Sequence, residues 1–245
     1  MIRTILILIA LATAAAAQTG PALQPAETHL AESLRRHGGN KLNEVLTIRL
    51  AGTRKTKTTL EPVVISATME GSSRIDYGKN AEHSVVTTAR GRYDVTKGEK
   101  KSRPGHSGIY AQLDIFSVLG IRNTYGSGDN RGVVGNRELK GNPTVLIHAG
   151  KDRQKTFYDR IVKDEADIEL DAQTGLLAAV HRVQSADDSL DVQFLTTYTF
   201  SDYRNVNGIV LPFLIERYRN TILRETLTVE SYDINPIFDR DLFER

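Results

Sequence analysis

The chain contains no cysteine. That absence removes disulfides, thiol chemistry and cysteine-ligated metals, and leaves no residue to carry a thioether lipid anchor. Stability must come from an ordinary apolar core, which 245 residues with 40% hydrophobic content can supply. Neither sign of charge is in excess: the formal net charge is +2, which gives no general footprint for nucleic acid or for strong membrane electrostatics. After the first seventeen residues no stretch approaches the ~18 uninterrupted apolar residues of a spanning helix. Solenoid repeats, heptads and low-complexity tracts are missing too.

Catalytic signatures are equally scarce. There is no Gly-x-Ser-x-Gly elbow, His-Glu-x-x-His helix, phosphate loop or dinucleotide fingerprint. The histidines, His29, His37, His83, His106, His148 and His181, are scattered. No two of them stand at i, i+4 on a predicted helix, where they would share a metal. His181 and His148 read as partnered, half-buried side chains on strands. Asp187, Asp188 and Asp191 lack the glycine-spaced pattern of a calcium loop and read as a solvated turn. The glycine-rich run at 125–135 reads as a flexible loop rather than an anion cradle. Basic clusters at Arg54-Lys55-Thr56-Lys57 and at 97–103 read as solvated loops between strands. The sequence therefore predicts a protein that is not an enzyme and needs no cofactor or metal.

What is present begins with Arg3, a short apolar run from Ile5 to Ala12, and Ala15-Ala16-Ala17 before Gln18. This is the pattern of a secretory signal peptide over residues 1–17, cleaved after Ala17, which places the mature chain in the periplasm. Residues 18–26 form a mobile leader, and residues 27–245 a single domain. A short helix over 27–37 carries Leu30 and Leu34 on one face, and Gly38-Gly39 stops it.

Strands dominate the rest. Leu46, Ile48 and Leu50 alternate with Thr47 and Arg49, and Val63, Ile65, Ala67 and Met69 form a second apolar face. Short strands are expected around Ile75, Val85 and Tyr93, and a second set at 145–148, 156–162, 166–170 and 176–183. The last of these places His181 beside Leu177, Ala179 and Val183. Over 190–232 three strands alternate one apolar and one polar face. Phe194, Tyr198, Leu211, Phe213, Leu227 and Val229 fall on the apolar side, which also takes Leu223. Asn205-Val206-Asn207-Gly208 joins the first two of these strands as a tight turn. An antiparallel meander with one apolar face must cover that face.

One segment breaks the β rhythm. In residues 107–120 Ile109, Leu113 and Phe116 recur at i, i+4, i+7, and Ile115, Val118 and Leu119 widen the stripe. The pattern predicts an apolar helix with Ser107 as N-cap and Gly120 as stop. Such a helix is either a packed core element or a lid over a lipid-sized gap, and both readings bury the same side chains.

The C-terminal cadence from Thr199 through Asn205-Val206-Asn207-Gly208 to Leu211-Pro212, the later Asn235-Pro236-Ile237-Phe238, and the early Gly38-Gly39-Asn40-Lys41-Leu42 together resemble exported bacterial proteins of the LolA/LolB-like superfamily, known as outer-membrane lipoprotein-sorting proteins. The resemblance implies a mainly β, α+β fold: a curved, half-open antiparallel β-barrel with helices covering its concave face. It also implies that acyl chains of lipids or lipoproteins are held between sheet and helices. The expected ligand-binding residues are Ile109, Leu113, Phe116, Leu119, Phe194, Tyr198, Leu211, Phe213, Leu227 and Val229. The expected partner is a lipid acyl chain or a lipoprotein, with an envelope protein as a further partner. The rival readings are a non-enzymatic interaction or sensory module on the same fold, and a hydrolase with dispersed catalytic residues.

Overall fold

The computed structural model describes residues 24–88, 91–103, 116–126, 131–157, 160–186 and 189–244. The signal-peptide assignment, Ile109 and Leu113 lie outside these residues. Helix α1 (Ala26–Arg36) buries Leu30 and ends at His37, as its glycines demand. Gly38, at φ +128°, lies so close to the Asn207-Gly208 turn that an added Cβ would stand 2.8 Å from the Gly208 carbonyl oxygen. A 3-10 turn (Gly39–Glu44) then buries Leu42 and leads into the sheet.

Among the described residues thirteen antiparallel strands form one open sheet. The first wing holds β1 (Thr47–Thr56), β2 (Leu60–Thr68), β3 (Ser73–Tyr77), β4 (His83–Thr88), β5 (Gly91–Thr96) and β6 (Glu99–Arg103). Helix α2 (Ser117–Gly126) follows. The second wing holds β7 (Arg131–Leu139), β8 (Asn142–Phe157), β9 (Arg160–Asp171), β10 (Leu177–Ala186), β11 (Ser189–Val206), β12 (Ile209–Arg219) and β13 (Ile222–Ile234). Every strand pairs with its sequence neighbour within a wing, and the wings meet only where β1 pairs β13. Among the described residues the edge strands are β6 and β7. The first is charged at every position but Ser102, which discourages pairing with another chain. The result is the curved, half-open barrel expected from the sequence.

Several boundaries differ from the sequence reading. Gly120 does not stop the helix. Helix α2 runs through it, the Gly120 N–H bonds back to the Phe116 carbonyl, and Ile121 beyond it is buried. The apolar stripe continues past the glycine, and burying it outweighs the roughly 1 kcal/mol helix penalty of glycine. The segment read as a loop over 125–135 ends α2 and begins β7 at Arg131. The strand expected at 156–162 is instead the end of β8 and the start of β9.

Leu46 is not part of β1. It is 68% exposed, and its N–H and that of Thr47 are taken by Asn235 Oδ1 at 2.7 and 3.3 Å. Bulges explain two further differences. The β9–β10 register slips between Leu177 and Ala179, so Leu177 faces the core while His181 and Val183 fall on the outer face. The β12–β13 register slips between Arg217 and Tyr218, and Leu223 is left 47% exposed.

Candidate ligand-binding site

Period-2 alternation sends one side chain in two from each central strand to the covered face. Tyr198 on β11, Leu211 and Phe213 on β12, and Leu227 and Val229 on β13 are all buried there in one continuous core. The same core takes in Ile48 and Leu50 of β1, and Val63 and Ile65 of β2. Tyr232 anchors its floor: its hydroxyl donates to the Pro212 carbonyl at 2.6 Å, and its ring meets Phe213 edge-on at 5.4 Å. Burial pushes the Tyr232 phenol above its ordinary range.

Phe116, Val118, Leu119 and Ile121 complete this core from the helix side, each no more than 5% exposed. Of the residues expected from sequence to bind a ligand, seven therefore meet in one apolar layer: Phe116, Leu119, Tyr198, Leu211, Phe213, Leu227 and Val229. Phe194 does not join them. It sits half-buried further along β11, with the Arg219 guanidinium 3.6 Å from its ring centroid.

The same face becomes ionic toward one end, which the sequence reading missed. Arg54 follows Ile48, Leu50 and Gly52 at the next inward position of β1. It contacts Glu61 at 2.7 Å and Glu225 at 3.3 Å, while Arg217 contacts Glu225 at 2.9 Å. The Arg54 guanidinium also lies over the Tyr77 ring at 4.9 Å. Desolvation lowers the Arg54 pKa, but Glu225, Tyr77 and Glu61 outweigh it and hold the group firmly charged. Arg54 is therefore no solvated loop residue, although Lys55 and Lys57 beside it are exposed. The signal was available: period 2 carried one step beyond Gly52 lands on Arg54.

On the outer face Thr144 donates to Glu169 at 2.8 Å, Glu169 meets His181 Nε2 at 2.9 Å, and His181 Nδ1 meets Thr197 at 2.9 Å. Burial raises the Glu169 pKa, but the bonds from His181 and Thr144 more than offset this and lower it overall. The order hydroxyl, imidazole, carboxylate is that of an activated nucleophile. Here the three sit on adjacent paired strands, and the arrangement matches the partnered half-buried histidine expected from sequence. A cleft of about 260 Å³ lies between α1 and the β9–β10 turn, lined by His29, Glu32, Arg36, Val145 and Leu170 among others. Among the described residues no group of three or more His, Asp or Glu side chains is placed to hold a metal ion.

No family model and no curated protein matches the sequence. Solved structures do match the fold. One is a domain assigned as an outer membrane lipoprotein-sorting protein from Vibrio parahaemolyticus, with TM-score 0.56 and 10% identity, covering 89% of this chain and 96% of that one. A LolA superfamily protein from Nitrosomonas europaea aligns with TM-score 0.54 and 9% identity, covering 89% and 97%. The chain shares their fold. A DUF1329 family protein from Desulfovibrio piger shares it too, with TM-score 0.57 and 9% identity over 90% and 98% of the two chains. The LolA-like fold expected from the sequence is thus present across most of the chain. At such identities no individual residue role transfers with it.

Proposed function

We propose that this chain is a periplasmic binding protein that holds an acyl chain, free or on a lipidated partner, against the concave face of the sheet. The observation that carries the reading is the apolar layer spanning β11, β12, β13, β1 and β2, closed by the short apolar helix α2. The likeness in fold to a lipoprotein-sorting domain points the same way. Each methylene placed on such a surface contributes about 0.8 kcal/mol, so a long chain is held without any catalytic group. Because Phe116 and Leu119 fill the space above the sheet, α2 acts as a displaceable plug, and cargo enters where it lifts. Export follows from the signal peptide at residues 1–17, and among the described residues no helix is long and apolar enough to cross a membrane.

A fluorescent fatty acid titrated into wild type and Phe116→Ala tests this. Truncating the ring weakens the closed plug, so the variant should bind severalfold more tightly while melting at lower temperature. A closed state that competes with ligand taxes apparent affinity by its population. Absence of saturable binding by both proteins, with about 3–5 kcal/mol lost in the variant, would leave a permanently filled core and favour the interaction-module reading. Binding by the wild type with unchanged affinity in a folded variant would remove α2 from the site.

A further inference from the structure

The net charge of the chain is close to neutral, but its exposed apolar and basic side chains are not evenly spread. Antiparallel register puts the β1–β2 and β12–β13 hairpin tips at the same end of the sheet, since Thr56 pairs Glu225 and Lys55 pairs both Leu60 and Thr226. This end holds Leu60 at 72% exposure, Ile222 at 56% and Leu223 at 47%. Leu195, 41% exposed, adjoins them, its backbone bonded in both directions to Asn220 of the β12–β13 turn.

The same tips carry the exposed cations Lys55, Lys57, Arg219 and Arg224. The carboxylates nearest to them in register, Glu61 and Glu225, are already engaged by Arg54 and Arg217. A local excess of positive charge therefore surrounds solvent-facing leucine and isoleucine. Aliphatic side chains at hairpin tips flanked by unneutralised lysine and arginine match a bilayer interface: the apolar groups enter the headgroup boundary and the cations meet anionic lipid. The neighbouring β10–β11 connection carries Asp187 and Asp188 in sequence, so the contact is assigned to the β1–β2 and β12–β13 tips, where the exposed aliphatic and basic side chains coincide.

We propose that the β1–β2 and β12–β13 hairpin tips form a docking edge for an anionic lipid bilayer. Docking there brings the ionic end of the concave face, with Phe194 and Arg219 at its rim, against the headgroups. The edge stands independently of cargo binding, because it uses residues outside the apolar layer.

Co-sedimentation with vesicles tests it. Wild-type protein should pellet with mixed phosphatidylcholine and phosphatidylglycerol vesicles at least tenfold better than with pure phosphatidylcholine, and raised salt should weaken the binding. Both Lys55→Glu/Lys57→Glu and Ile222→Ser/Leu223→Ser should lower the anionic-vesicle affinity about tenfold or more, with fatty-acid titration unchanged from wild type. Equal binding to both vesicle types, no binding to either, or full retention by either double variant overturns the proposal. So does a concentration-dependent dimer that is lost in Ile222→Ser/Leu223→Ser while vesicle binding is absent, which would assign the edge to a second copy of this chain. Since every variant is titrated with fatty acid as well, failure of the docking edge is told apart from failure of the acyl site.

Discussion

Acidification from pH 6.5 to pH 4 should remove about 3 kcal/mol of folding stability through one side chain, His37. Its ring is fully buried at the end of α1. Nδ1 donates to the Val210 carbonyl at 2.8 Å, and Nε2 accepts the Leu177 N–H at 3.1 Å, so the site holds neutral imidazole with its proton on Nδ1. Burial lowers its pKa from 6.5 to about 4, against the opposing hydrogen bond to Val210. The unfolded chain therefore binds the extra proton across that window while the folded chain does not. The contribution is complete above the unfolded pKa and is lost as pH falls toward the folded one. Denaturant melts at pH 7 and pH 4.5 measure it, above most of the range in which Glu32, Glu169 and Glu216, all lowered by their partners, add their own acid sensitivity. His37→Phe should be less stable by about 2–4 kcal/mol at pH 7, because it orphans the Leu177 N–H and the Val210 carbonyl. The variant should also lose most of the slope between pH 6.5 and 4.5. An unchanged slope would move the acid sensitivity elsewhere.

Gly52→Ala should cost about 3 kcal/mol, and Gly52→Val should leave little folded protein. A Cβ at Gly52 would stand 2.3 Å from the Thr228 carbonyl oxygen and 3.0 Å from the Val229 Cα. Both obstacles are backbone of the paired strand, so no side chain can swing aside. The site is also where the β1–β13 register shifts, between Ala51 and Gly52. The glycine permits the bulge, and the bulge bends the sheet where its two wings join. Gly132→Ala on β7 is the matched control: nothing lies within 4 Å of its added methyl, and its melting temperature should stay within a degree or two. Similar losses from the two alanine variants would show that strand propensity, not the close approach, sets the effect.

The elements legible in the sequence were those in which one physical signal acted alone. The β12 face of Leu211, Phe213 and Ile215 could be read because its period of 2 is unbroken and both flanking turns carry asparagine. Asn207 and Gly208, at φ +55° and +86°, adopt the left-handed turn conformation their identities announce. Reading failed where two signals competed. At Gly120 a stop signal met a continuing apolar stripe, and tertiary burial decided. At His181 and Leu223 the alternation was counted correctly but a bulge reversed the faces, and a bulge depends on the partner strand. The ionic end of the concave face was missed because Arg54 was judged by local polarity, as one member of a basic cluster. Only the pairing of β1 with both β2 and β13 brings Arg54 within reach of Glu61 and Glu225.

The joint between β1 and β13 also constrains the order in which the chain folds. Ile48 pairs with Ile234, so nearly the whole sequence must emerge before the first strand of the sheet gains its second neighbour. During synthesis β1 waits with one edge bare, and the first wing cannot close on the second. Contacts this distant in sequence form slowly. Under the export proposed above, a slow final step keeps the polypeptide unfolded while it is threaded through a translocation channel. It also makes loss of the last strand by premature termination far more damaging than loss of β6, because it would strip the inner edges of β1 and β12 together and leave both wings open to proteolysis.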